Sequence, residues 1–216
     1  RTKIARIGFP NADHGFVCLH DETLERETTG NGPVAAATTA TLRRLTLRRE
    51  DGAPSGEGLI LLEDLAEIAR IDGDRHALLQ FDLKEDDGAI DDGLVESFRR
   101  TVACIADRCI VSGHDWRAVS RLAEAVPGLR RGFDPCADDT LDSLRDDKDG
   151  RAFIADALAR APEAETLYLD HGIVLAAAEM GVDLIAPCHA AGKTVDAWTL
   201  DPDHPRAAES LWQLVA

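Results

Sequence analysis

Short apolar runs alternate along the chain with segments of helical period, and nearly every apolar run ends in polar, titratable residues. Phe16 to Leu19 is the first clear strand candidate, and His20 and Asp21 follow it without a spacer. A polar segment from Thr28 to about Gly58, rich in Gly, Thr and Ala, reads as an insertion after that strand, with a short helix inside "TATLRRLTLRR". In "LILLEDLAEIARI" the residues Leu62, Leu65, Ile68 and Ala69 fall at helical spacing, with acids early and Arg70 late, so a helix is predicted over 61–71. "HALLQFDLKEDD" predicts a strand at about 77–83 with Asp82 and Lys84 at its tip.

The alternation continues. "DDGLVESFRRTVACIA" is helical, and "RCIVSGHDW" is a strand ending in Ser112, His114 and Asp115. "RAVSRLAEAVPG" is a helix closed by Pro and Gly, and "LRRGFDP" is a short strand. "GRAFIADALARAP" is helical, "TLYLDH" a strand, and "IVLAAAEMG" and "LIAPCHAAGK" helices. "TVDAWTLDPDHP" is the last strand, and a helix opens at "PRAAESLWQLVA" with Pro205 near its start. Strands separated by helices predict a parallel sheet, and the titratable residues gather at strand C-terminal tips: His20 and Asp21, Asp82 and Lys84, His114 and Asp115, Asp134, Asp170 and His171, and Asp201. In a parallel barrel those tips form the face that carries chemistry.

A chain of 216 residues fits one domain, and 44% hydrophobic with 30% charged residues argues against general disorder. The 40 acids outnumber the 24 bases to give a net charge of −16. That field repels phosphate backbones and anionic lipid, so nucleic acid and membrane surfaces are excluded as expected partners. Acid-rich stretches such as "KEDDGAIDDG" and "CADDTLDSLRDDKDG" read as loops. The five cysteines are odd in number with no CxxC pair, which suits a reducing compartment, and no apolar run reaches the length of a membrane span. A cytoplasmic setting is the expectation. The chain opens "RTKIARIGFP" and closes "AAESLWQLVA", so both ends read as cut.

The run "HDETLERETTGNG" closely resembles the glycerophosphodiester phosphodiesterase family, whose members carry a strand, His-Asp, Thr-Leu, Arg and a Thr/Gly-rich run. The matching positions are His20, Asp21, Thr23, Leu24, Arg26, Thr28, Thr29, Gly30 and Gly32. "LLEDLAEIA", "FDLK", "IVSGHDWRAVSRLAEAVPGLRRGF" and "GKTVDAWTLD" resemble further family segments in order, so the resemblance covers roughly residues 13 to 201. It implies a TIM-type (β/α)8 barrel, incomplete at both ends, that hydrolyses glycerophosphodiesters to sn-glycerol 3-phosphate and an alcohol with a divalent metal, Mg or Ca.

The resemblance also assigns roles. His20 becomes one of two catalytic histidines, a role suited to a side chain that titrates near neutrality. Asp82 stands at a metal-binding position where the family has Glu, and Lys84 would face a phosphate oxygen. Arg26 would neutralise phosphate or brace the Thr-rich loop, and Trp198 would line the pocket against a glycerol moiety or pack in the core. Asp21 is expected to accept hydrogen bonds from nearby backbone amides. His114, Asp134 and His171 are expected to be structural, and His14, His76, His189 and His204 surface or core histidines.

The chain departs from the family too. No His-Arg-Gly precedes the motif, and aligned without gaps from Asp13 the family's metal-binding Glu-x-Asp pair falls on Ala5 and Ile7. The family's last strand is also missing after Ala216. A weak metal site, and an alternative role as a catalytically inactive binding or scaffold barrel, follow from these departures. A His/Asp metal cluster of another hydrolase class is disfavoured because no HxH or HExxH spacing occurs.

Overall fold

Residues 2–5, 9–72, 77–137, 139–147, 150–200 and 206–215 are described by the computed structural model, and they group into two units, Arg1–Arg130 and Arg131–Ala216. The first unit runs through β1 (Thr2–Ala5), β2 (Phe9–Pro10), β3 (Phe16–Val17), α1 (Thr39–Leu42), β4 (Thr46–Arg48), β5 (Pro54–Gly58), α2 (Leu62–Asp72), β6 (Leu78–Leu83), α3 (Asp92–Val102), β7 (Cys109–Gly113) and α4 (Trp116–Ala125). Strands β1, β6 and β7 are parallel with β6 in the middle, so that Ala5 is in register with Phe81 and Asp82 with Ser112.

Alternation along the strands sorts their side chains. Phe81 and Leu83 of β6 and Cys109 and Val111 of β7 join a core built with α2, α3 and α4. Gln80, Asp82 and Ser112 take the opposite face, where the Gln80 amide donates to the Ser112 hydroxyl at 3.0 Å. Helix α3 forms because Leu94, Phe98 and Val102 bury at four-residue spacing and the Asp91 carboxylate caps its start by accepting from the Leu94 N–H at 2.8 Å. Phe98 meets Phe16 and Phe81 edge to face, with centroids 5.8 and 6.2 Å apart.

The expected barrel strand at Phe16–Leu19 is corrected by this arrangement. Only Phe16–Val17 is a strand, and it runs antiparallel to β2, outside the parallel sheet. Its apolar run is buried by the polar segment that follows it: Val17 and Leu19 pack with Leu24, Val34, Leu42 and Leu61. The parallel strand lies instead at "TKIA", four residues too short and mixed to carry a period. The segment over 28–58 folds as α1 and the hairpin β4–β5, and Thr28 bridges to Leu47 and Thr29 donates to the Thr46 carbonyl at 2.9 Å.

The second unit begins within β8 (Arg130–Phe133) and continues through α5 (Thr140–Asp147), α6 (Gly150–Arg160), β9 (Thr166–Asp170), α7 (His171–Glu179), α8 (Ile185–Ala190), β10 (Thr194–Trp198) and α9 (Ala207–Val215). Strand β9 is parallel to both β8 and β10, with Gly132 and Thr194 each in register with Thr166. Buried Lys193 satisfies two carbonyls beyond α6, donating to Pro162 O at 2.8 Å and Ala164 O at 2.6 Å. Helix α5 overturns the loop reading of "CADDTLDSLRDDKDG": Leu144 buries, and Leu141 half-buries three residues before it, which gives an otherwise acidic stretch a packed edge. No helix among the described residues is long and apolar enough to cross a membrane.

Candidate functional site

The chain leaves β3 and turns at once into a tight loop that carries His20. Cys18 N–H donates to the Ile60 carbonyl at 3.0 Å, Leu24 N–H to Gly32 O at 3.0 Å and Val34 N–H to Glu22 O at 2.9 Å, so both limbs of the loop are held. The half-exposed His20 ring lies with Nδ1 2.8 Å from Asp21 Oδ1. A proton on Nδ1 serves that bond and leaves Nε2 with its lone pair outward. Arg26 forks over Asp21, with Nε on Oδ2 and Nη2 on Oδ1. The Arg26 guanidinium and then the His20 ring hold the Asp21 carboxyl well below the usual carboxylate range.

The backbone acceptor in this loop is Glu27. Its Oε1 takes the Asp21 N–H at 2.8 Å and the His20 N–H at 3.0 Å. The expectation for Asp21 is thereby corrected: its oxygens are engaged by Arg26 and the imidazole, and a carboxylate six residues on reaches back to the amides. Arg26 binds the His20–Asp21 turn, through Asp21 and Glu27, and makes no hydrogen bond to the Thr-rich run among the described residues.

At the tip of β6, Asp82 and Lys84 pair with each other at 2.7 Å, their side chains 17% and 27% exposed. Burial pushes the neighbouring Glu85 carboxyl up, and Glu22 from the His20 loop adds to that push, so loop and strand tip share one acidic neighbourhood. Asp115 accepts from Asp87 N–H at 2.8 Å and from Arg117 N–H at 2.8 Å, which caps α4 and ties the chain after β6 to the end of β7.

Trp198 belongs to the second unit, as the last residue of β10 in register with Asp170. Its indole N–H is buried with no acceptor among the described residues. At the strand tips of this unit, Asp134 accepts from Cys136 N–H at 2.9 Å, Asp170 caps α7 through Ile173 N–H at 3.1 Å, and His171 Nδ1 lies 3.3 Å from the Trp198 carbonyl. His76, Asp201 and His204 lie outside the described residues.

Two places could be asked to hold a divalent cation. Ligand atoms of His20, Asp21 and Glu27 lie within 4.8 Å of one another, but Asp21 is spent on Arg26, Glu27 on two amides, and the guanidinium supplies the local positive charge. At β6, Asp82 is covered by the Lys84 ammonium. Ile7 lies outside the described residues. Mg or Ca requires about six or more oxygen ligands, several from the protein, and neither donor set fits.

The profile of the glycerophosphoryl diester phosphodiesterase family matches residues 12–214. The chain belongs to that family. A crystal structure assigned to a glycerophosphoryl diester phosphodiesterase from Agrobacterium tumefaciens superposes with TM-score 0.69 at 20% identity, over 95% of this chain and 75% of that one. A glycerophosphodiester phosphodiesterase from Parabacteroides distasonis gives 0.62 at 18%, over 95% and 73%. An Oleispira antarctica phosphodiesterase, solved with the product sn-glycerol 3-phosphate, gives 0.63 at 18%, over 97% and 76%. These likenesses establish an α/β fold of the family's TIM-barrel type. No curated protein matches the chain. Glu27 and Glu85 are the site-lining residues that the sequence pattern did not single out, since neither falls at a spacing that marks chemistry.

Proposed function

We propose that this chain hydrolyses glycerophosphodiesters, releasing sn-glycerol 3-phosphate and an alcohol, in lipid or glycerol metabolism. The observation that carries the reading is the family match, which runs across residues 12–214 and includes the His20–Asp21 motif. The bound product of the Oleispira antarctica phosphodiesterase supports the same substrate class. In this reading Nε2 of His20 moves a proton at an ester oxygen, with its ring oriented by Asp21. Lys84 offers its ammonium to a phosphate oxygen, exchanging it for Asp82 when substrate binds. Arg26 keeps Asp21 ionised. No step is routed through a metal ion. The free thiols support a cytoplasmic setting, and the charge of −16 supports a small-molecule substrate over nucleic acid.

His20→Ala is expected to lower glycerophosphocholine hydrolysis by about 10²–10⁴-fold with an unchanged circular dichroism spectrum. Wild-type turnover in that variant overturns the assignment. A second reading, a barrel that binds glycerophosphodiesters without cleaving them, is favoured by Ala5 at the metal-ligand position and by the Lys84–Asp82 pair. Turnover of glycerophosphocholine by the wild-type protein selects the first reading. Binding of sn-glycerol 3-phosphate without turnover under any metal selects the second.

A further inference from the structure

We infer that Glu27 is the positioning residue of the His20–Asp21 pair. The inference rests on the reading of His20 as the proton-transfer group. Successive N–H groups that point the same way make a small anion-holding concavity, and here the Glu27 carboxylate fills it. Oε1 takes both amides, at 2.8 and 3.0 Å, and Oε2 lies 3.1 Å from the His20 nitrogen. The side chain is 22% exposed and that of Asp21 24%, against 65% for Arg26, so the two carboxylates are the sheltered members of the cluster.

The clamp is itself held from behind. Glu27 O accepts from Arg48 N–H of β4 at 2.7 Å, and the buried Thr28 hydroxyl donates to Leu24 O at 2.7 Å. A continuous chain of bonds therefore runs from the β4–β5 hairpin through Glu27 to the backbone that aims the imidazole. Asp21 fixes the ring, and Glu27 fixes the peptide from which that ring projects. Positioning of this kind acts on the chemical step, because a small error in aim costs turnover before it costs binding.

The test compares Glu27→Ala with Glu27→Gln, since the amide of Gln keeps an acceptor oxygen at the Oε1 position, which takes both amides, and loses the charge and the longer contact of Oε2. Glu27→Ala is expected to lower kcat about tenfold or more while KM stays within about twofold. Amide exchange at His20 and Asp21 is expected to speed by about tenfold or more in the same variant. Glu27→Gln is expected to keep both amides protected and to keep kcat within about threefold of wild type. Glu27→Ala with wild-type kcat and protected amides overturns the proposal. If Glu27→Ala does not fold, Glu27→Met, which fills a similar volume without an acceptor for the two amides, takes its place: faster exchange at His20 and Asp21 with a lower kcat supports the proposal, and wild-type exchange with wild-type kcat overturns it. Absence of turnover in the wild-type protein defeats the functional reading alone, because the exchange rates still decide whether Glu27 clamps the turn.

Discussion

Arg26 and Asp21 pair through two hydrogen bonds, and the effect of the pair on stability follows from where they sit. Asp21 in the folded chain titrates below its ordinary value of about 3.9, so the pair stabilises the fold above that pH and loses its contribution as pH falls further. Arg26 is 65% exposed, so solvent screens the pair and Arg26→Met is expected to leave the denaturation midpoint nearly unchanged in a denaturant titration. The same variant should move the Asp21 carboxyl titration upward when followed by NMR. Thiols make a second prediction at this scale. Burial pushes Cys18 and Cys109 up to about 12 and Cys188 to about 11, and raises Cys136, whereas Cys104 is exposed. Iodoacetamide at pH 8 should label Cys104 in the native protein, and the other four only after unfolding, as read by mass spectrometry. His20, Asp82 and Lys84 were legible because a titratable group ending an apolar run is a sequence signal. Glu27 was not, because its partners are backbone amides reached only when the loop folds back.

At the scale of elements, Phe98 joins the sheet to the strand that delivers His20, since its ring contacts both Phe81 of β6 and Phe16 of β3. Phe98→Ala is expected to cost about 3–5 kcal/mol, seen as a lower denaturation midpoint, with hydrolysis falling as the His20 loop loses its footing. Helices were the most legible elements: the periods at α2, α3 and α4 are long, α3 and α4 open on Asp caps, and α2 carries acids in its first turn. Strand β6 was found within a residue of its start, because "LLQFDL" alternates. Among the elements that escaped, two did so for clear physical reasons. β1 is held by pairing with β6 instead of by its own pattern, and α5 has too few apolar residues to show a period. The apolar run at Phe16–Leu19 misled in the other direction, because burial by a covering loop leaves the same mark as burial in a sheet.

For the whole molecule, the acid excess sets what the surface will tolerate. With a net charge of −16, neither duplex DNA nor phosphatidylserine vesicles should retain the protein at physiological salt, in a co-sedimentation or gel-shift measurement. The fold class was legible from alternation alone, and the family from one loop, because strand-tip chemistry is compressed into few residues. The two units are each one unbroken stretch of chain, divided at Arg130. On a ribosome, then, His20, Arg26, Glu27, Asp82 and Lys84, with the core that orders them, have all been synthesised before the first residue of the second unit, so nascent chains stalled past that point can acquire the His20 loop during translation.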